Sequence, residues 1–249
     1  MALDDLRSVG ILGGTFNPPH AGHLALARNA LEELGLDRVL LMPANVAPNK
    51  PASGEDPGAD HRLAMCRLAV ADEPGIQASE LEIERGGVSY TVDTLFSIHD
   101  KEPDAELTLI LGADTARTLP GWREPERLLG LAGLAVAERD GLGEDEIRAA
   151  VGRLAHGAPR AGSHVSSPEL ASAQADRGAG RRGGPQELAP ALRMLRMEKV
   201  PVSSSQVREL VAAGRPVEDL VGEAVAGYIA EHGLYRGSAT VGLEDGART

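Results

Sequence analysis

The chain has 249 residues, with 37 Asp and Glu against 25 Lys and Arg, a formal net charge of −12. Its 42% hydrophobic content excludes disorder throughout; no apolar run reaches the roughly 18 residues of a membrane span, and the acidic balance argues against non-specific duplex binding. The N-terminus lacks the basic and apolar regions of a secretory signal, and the lone Cys66 admits no internal disulfide and suits the reducing cytoplasm.

Arg7 to Leu12 reads as a buried first strand running into the turn Gly13-Gly14-Thr15. His20 to Leu34 repeats apolar residues at helical spacing (Leu24, Ala27, Leu31, Leu34), with Gly35 placed as a C-terminal cap. Arg38 to Pro43 is the second strand, which makes a βαβ unit and predicts a parallel sheet. Further on, the pattern predicts a helix over 60–71, an extended segment over 76–83, a helix over 91–101 and a buried strand over 107–111. A short helix over 125–131 and a strand over 134–137 follow, then a last strand over 199–202 and helices over 207–213 and 217–232. The expected fold class is α/β, a Rossmann-like doubly wound, mostly parallel sheet with helices on both faces. The length suits a single domain over 1–236. Within it, 157–190 is rich in Gly, Ala, Pro and Ser and reads as a flexible insertion, with Arg177, Arg181 and Arg182 as a partner-contact alternative; 237–249 reads as a disordered tail.

The stretch that carries chemistry is Gly13-Gly14-Thr15-Phe16-Asn-Pro-Pro-His20-Ala-Gly-His23, between the first strand and the first helix. Glycines let a backbone approach a ligand closely, and helix N-termini present free N–H groups to phosphate. His20 and His23, three apart, can face one side and stabilise charge on a transferred phosphoryl group. Capping histidines or a metal pair are the alternatives, but the remaining His61, His99, His156, His164 and His232 show no ligand spacing, so no protein metal site is expected. Ser203-Ser204-Ser205 before a helix, with Arg208 one turn inside, reads as a second anion site or as a plain cap with a surface arginine. Gly112 and Asp114 follow a buried strand, where ligands sit in open α/β sheets; Asp114 would meet ribose hydroxyls or a magnesium-bound water, or else cap a helix. Trp122, in a Pro-Gly turn, is either a buried anchor or a flat wall for an aromatic ring. Cys66 falls in a helical apolar pattern and reads as core.

The glycine turn followed by His-x-Gly-His resembles the signature of the nucleotidyltransferase superfamily that includes class I aminoacyl-tRNA synthetases. The fuller string GGTFNPPHAGH is similar to bacterial nicotinate-nucleotide adenylyltransferases, and four later stretches match that family in order: Ser89 to Thr94, Leu111 to Thr115, Leu119 to Trp122 and Val202 to Arg208. The ending Tyr228 to Tyr235 matches as well, so the resemblance covers about 7–140 and 197–236. It implies an enzyme that transfers AMP from ATP to nicotinate mononucleotide, giving deamido-NAD and pyrophosphate in NAD biosynthesis. His20, His23 and Arg208 would be catalytic. Gly13, Gly14, Thr15, Phe16, Gly112, Asp114, Ser204 and Ser205 would bind ATP, with Mg²⁺ carried by the nucleotide. Lys50, Thr91, Val92, Trp122 and Arg123 would bind the mononucleotide, the ring on Trp122 and its carboxylate on backbone N–H groups near Thr91, Val92 and Arg123. Asn17 and Asn49 stand where the family often has Asp and His, and Arg139 is a weaker phosphate candidate. The alternatives are transfer to nicotinamide mononucleotide or phosphopantetheine, or a nucleotide-binding module without catalysis. The implied partners are small molecules in the cytoplasm, with no nucleic acid and no membrane; a homo-oligomer is left open.

Overall fold

The computed structural model describes residues 8–48, 56–138, 143–157, 192–198 and 200–237. Strand β1 (Ser8–Gly14) alternates its side chains between two cores, as a strand buried on both faces must. Helix α1 (Ala21–Leu34) buries Leu26, Ala27 and Ala30 and stops at Gly35, whose φ of 62° is the left-handed cap that glycine adopts without strain. Strand β2 (Arg38–Pro43), helix α2 (Ala59–Ala69), strand β3 (Ile76–Ala78) and helices α3 (Leu81–Arg85) and α4 (Thr91–Lys101) follow. Then come β4 (Glu106–Gly112), α5 (Ala113–Arg117), a 3-10 turn at Leu119–Gly121, α6 (Pro125–Leu131) and β5 (Gly133–Glu138). The chain closes with α7 (Glu144–Gly157), β6 (Leu192–Arg196), α8 (Ser204–Ala212), α9 (Glu218–Val221) and α10 (Glu223–Glu231).

The six strands form one sheet in the order β3-β2-β1-β4-β5-β6, and every pair is parallel. Val9, Ile11, Leu109 and Leu111 face the core beneath α4, α6 and α7; Leu12, Leu41 and Ile110 face the core beneath α1 and α2. A third cluster joins Met65 of α2 to Val207, Val225 and Ile229 of α8 and α10, so the C-terminal helices pack on α2 as an outer layer. The Rossmann-like α/β fold with helices on both faces is the one expected. Among the described residues no helix is long and apolar enough to cross a membrane.

Three local expectations need correction, and one helix was missed. The segment 76–83 is not wholly extended: β3 ends at Ala78, and the alternation of Leu81 and Ile83 belongs to α3, which Gly86 ends at φ 70°. The last strand is Leu192–Arg196, not 199–202. Two exposed arginines disguise it as surface, yet Leu195 is fully buried and β6 pairs with β5 as the sheet edge. Val202 instead joins the cluster beneath α8, its N–H bonded back to the Val200 carbonyl at 2.8 Å. The helix over 217–232 is two, because Gly222 at φ 85° interrupts it. Helix α7 was not anticipated from the sequence, although Ile147 and Val151 at i, i+4 both reach the core and three acidic residues open its first turn. Of the expected insertion, Gly157 ends α7 and 158–190 lies outside the described residues, as does the tail from 238.

Candidate active site

The strand order runs outward from β1 to β3 on one side and from β4 to β6 on the other, so it reverses between β1 and β4. In an open parallel sheet such a reversal leaves a crevice at the carboxyl ends of the two strands, because their crossovers leave in opposite directions. Gly13 and Gly14 end β1 at this point, and Gly112 ends β4. The two glycine-bearing motifs therefore meet at one place.

His20 is the N-cap of α1 and 91% buried, and His23 lies one turn inside. Their rings stack at 3.7 Å between centroids and 24° between planes, and Phe16 meets His23 edge-on at 4.8 Å. The backbone N–H of His20 donates to Nδ1 of His23 at 3.2 Å. Nδ1 of His23 is thus an acceptor, which leaves its proton on Nε2, directed away from the helix cap. Gly22 makes the stack fit: a Cβ there would lie 3.2 Å from the His20 ring and 3.3 Å from Val202.

Helix α8 is pinned against the same loop. Ser204 Oγ donates to the Pro18 carbonyl at 2.8 Å, Arg208 Nη1 donates to the Asn17 carbonyl at 2.9 Å, and Tyr235 Oη donates to Asn17 Oδ1 at 2.6 Å. Burial pushes the Tyr235 hydroxyl well above the usual phenol range, with Arg208 pulling the other way, so it stays a donor. The N-termini of α1 and α8 are held together, two sources of free N–H groups beside two imidazoles and a guanidinium. Ser203 is the N-cap, accepting from the Gln206 N–H at 3.2 Å; Ser204 and Ser205 are the first two helical residues.

A second cluster surrounds the start of α4. Thr91 and Val92 are its first residues, behind the Tyr90 N-cap. Arg123 lies over the Tyr90 ring at 4.7 Å and pairs with Asp93 at 3.5 Å, which brings the Trp122–Arg123 segment to the α4 N-terminus. Trp122 is half-buried against the core, with Nε1 donating to Thr118 Oγ1 at 2.9 Å.

The comparisons with known proteins agree on what this arrangement is. The cytidylyltransferase-like family model matches residues 11–210. A Gemmatimonas aurantiaca protein named "Probable nicotinate-nucleotide adenylyltransferase" is 38% identical over 228 residues, 92% of each chain. One of the same name from Roseiflexus sp. is 40% identical over 232 residues, 92% of this chain and 98% of its own. The chain belongs to the nicotinate-nucleotide adenylyltransferase family. A Plasmodium falciparum nicotinic acid mononucleotide adenylyltransferase solved with NaAD shares the fold, with a TM-score of 0.64 at 16% identity over 92% of this chain and 97% of that one.

Within this family member, several side chains sit differently from the roles first suggested by sequence. Phe16 and Val92 are buried to 2% and 1% exposure, so only their backbones can face a ligand. The Ser204 hydroxyl is spent on Pro18, which leaves its N–H rather than its side chain for an anion. Asp114 is almost fully exposed and paired with Arg117 at 2.9 Å, and the cap of α5 is Gly112. Lys50, Asn49 and Arg139 lie outside the described residues, as do Arg177, Arg181 and Arg182. Cys66 is core: it is fully buried and burial pushes its thiol far up. Sequence reasoning missed Arg62 and Tyr235 as residues bonded to the site loops. The signal was there for Tyr235 in the Tyr228 to Tyr235 ending; for Arg62 nothing in a single amphipathic helix distinguishes it from a surface arginine.

Proposed function

We propose that the chain transfers AMP from ATP to nicotinate mononucleotide, releasing pyrophosphate and deamido-NAD. The observation that carries the reading is the meeting of the α1 and α8 N-termini around His20, His23 and Arg208, at the carboxyl edge where the sheet order reverses. The 5′-phosphate oxygen of the mononucleotide attacks the α-phosphorus of ATP in line. The bond from that phosphorus to the bridging oxygen breaks, and its electron pair leaves on pyrophosphate. No enzyme nucleophile is needed, so the protein contributes position and charge stabilisation. His20 and His23 donate toward the α-phosphate and the leaving oxygen, while Arg208 and the first N–H groups of α8 hold the β- and γ-phosphates. Gly13, Gly14 and Thr15 line the nucleotide, Gly112 and Asp114 lie beside its ribose, and Lys50 adds charge near the mononucleotide phosphate.

Trp122 and the helix N-terminus at Thr91 and Val92 support a pyridine carboxylate as acceptor. Backbone donors satisfy a carboxylate and repel the amino group of a carboxamide. Among the described residues no group of three His, Cys, Asp or Glu side chains is placed to hold a cation. Mg²⁺ would therefore come with the triphosphate and water, with Asp114 the candidate carboxylate for a magnesium-bound water, and when bound it would supply charge neutralisation of the phosphates. The partners are these small molecules, and the setting is the cytoplasm, where the single cysteine stays reduced.

Pyrophosphate release with Mg·ATP tests the reading, offered nicotinate mononucleotide, nicotinamide mononucleotide and phosphopantetheine in separate assays. Release with the nicotinate compound at least about tenfold above the amide is expected from the loss of one satisfied polar contact. Equal or greater release with the amide overturns the acid-selective pocket, and ATP binding with no release from any acceptor overturns catalysis. A second expectation separates activity from stability. Gly22→Ala should leave the fold intact with little change in stability, since the preference of a helix for alanine, at most about 1 kcal/mol, is opposed by the close contacts of its Cβ with His20 and Val202. Its Cβ meets the His20 ring at 3.2 Å, and turnover should fall about tenfold because reacting groups tolerate little displacement. Melting temperature and kcat measured on one preparation check it.

A further inference from the structure

We propose that Arg62, a residue with no assigned role in the reaction, is a positioning residue: its guanidinium fixes the His20 loop by fastening together the carboxyl ends of β1 and β2. The inference rests on the reaction proposed above. Arg62 stands on α2 with 2% of its surface exposed, the one lysine or arginine among the described residues that is buried. β1 and β2 pair through Gly14 and Pro43, and the Ala44 N–H still donates to the Gly14 carbonyl at 2.9 Å. One residue later the chains part, Thr15 toward His20 and Asn45 toward the surface. Arg62 supplies the next rungs. Its Nη1 donates to the Thr15 carbonyl at 2.9 Å and the Ala44 carbonyl at 2.6 Å, and its Nη2 to the Asn45 carbonyl at 3.0 Å. Its Nε donates to Asp56 Oδ1 at 3.1 Å, which balances the charge.

Stability alone is a poor reason for this arrangement. A buried ion pair is often no better than apolar side chains of similar volume. A planar fork with five donors, however, is what three converging carbonyls from two chain segments require, and no other side chain offers it. Four residues separate Thr15 from His20, and the first of them, Phe16, is in the left-handed region at φ 51°. Fixing the Thr15 carbonyl therefore fixes where the turn begins, and through it the direction of the His20 ring. Asn45 is held by the same clamp, and its own N–H donates to Ser89 Oγ at 2.9 Å, next to the Tyr90 cap of α4. One guanidinium thus ties the histidine loop to the segment leading toward Thr91.

The test compares wild type with Arg62→Lys and Arg62→Met for kcat, for KM of ATP and of nicotinate mononucleotide, and for melting temperature. A lysine keeps the charge but reaches from a single point. Folded Arg62→Lys should lose about tenfold in kcat with KM for ATP within about threefold, the split expected of misplaced groups rather than lost binding. Arg62→Met should lose more, and millimolar guanidinium should restore part of the kcat of Arg62→Ala. A folded Arg62→Lys with wild-type kcat, whatever its melting temperature, overturns the positioning role. If Arg62→Met does not fold, Arg62→Lys alone decides. A wild type that is itself silent overturns the reaction reading and this inference with it; an active wild type beside an equally active Arg62→Lys overturns this inference only.

Discussion

His20→Ala should lower kcat by about 10²- to 10³-fold while the protein remains folded and still binds ATP. The size follows from the site's chemistry. Charge that develops on the α-phosphate and the departing oxygen is met by preorganised donors, and losing one such donor in a water-poor site costs a few kcal/mol of barrier. His20 is 91% buried at the helix cap, so its imidazole acts at reduced solvation and with its position already set by the His23 stack at 3.7 Å. Folding depends on it less. The strands and the two cores beneath α1 and α4 are formed by other residues, and the removed ring leaves space at the open end of the sheet. Circular dichroism and calorimetric ATP binding within about threefold of wild type would show that only the chemical step has changed. His23→Ala should lose less, because one nitrogen of His23 is occupied by the His20 N–H. The double variant should lose less than the product of the two, since stacked neighbours do not act independently. A folded His20→Ala with near-normal turnover would sink the charge-stabilising role.

The parts of the fold legible in the sequence are those where burial leaves a period. The unbroken apolar run Leu107 to Leu111 is a strand because both faces are covered, and the Leu24, Ala27, Leu31 spacing is a helix because only one is. Leu192 to Arg196 was illegible because an edge strand with exposed Arg193 and Arg196 keeps too few apolar residues to show alternation. α3 was illegible because five residues hold hardly more than one turn, and Leu81 and Ile83 alternate as they would in a strand. At the site, spacing made His20 and His23 neighbours and a single glycine turn announced a backbone-lined crevice. Spacing could not say that Phe16 turns its ring into the core, nor that the Ser204 hydroxyl would be taken by Pro18, 186 residues away in sequence. Arg62 is the plainest case. Its four partners lie on three separate segments, and a contact of that kind leaves no mark on the local pattern.

Arg208→Met should raise KM for ATP and lower kcat, with a combined loss in kcat/KM of about 10²-fold, and Arg208→Lys should recover only part of it. Arg208 has two duties that must be told apart. Its Nη1 is bonded to the Asn17 carbonyl at 2.9 Å and Nη2 reaches Ser205 Oγ at 3.4 Å, so it braces the loop before α1. The same guanidinium carries the fixed positive charge beside the α8 N-terminus, where a triphosphate would lie. A lysine keeps the charge and loses the fork, so partial recovery measures charge against geometry. Tyr235→Phe supplies the control for bracing. It removes the other tie to Asn17, the 2.6 Å bond from Tyr235 Oη to Oδ1, and takes no charge from the site. If bracing were the whole role of Arg208, Tyr235→Phe would reproduce much of the Arg208→Met loss. The expected result is a small effect for Tyr235→Phe, about fivefold or less, because one neutral hydrogen bond is worth about 1 kcal/mol. The Arg208→Met loss should also shrink at high salt, since wild-type binding of the triphosphate weakens there as charges are screened, whereas a bracing role would leave the ratio of the two proteins unchanged. Steady-state kinetics of the three variants at two ionic strengths separate charge from scaffold, and equal losses for Arg208→Met and Tyr235→Phe would assign Arg208 to the scaffold.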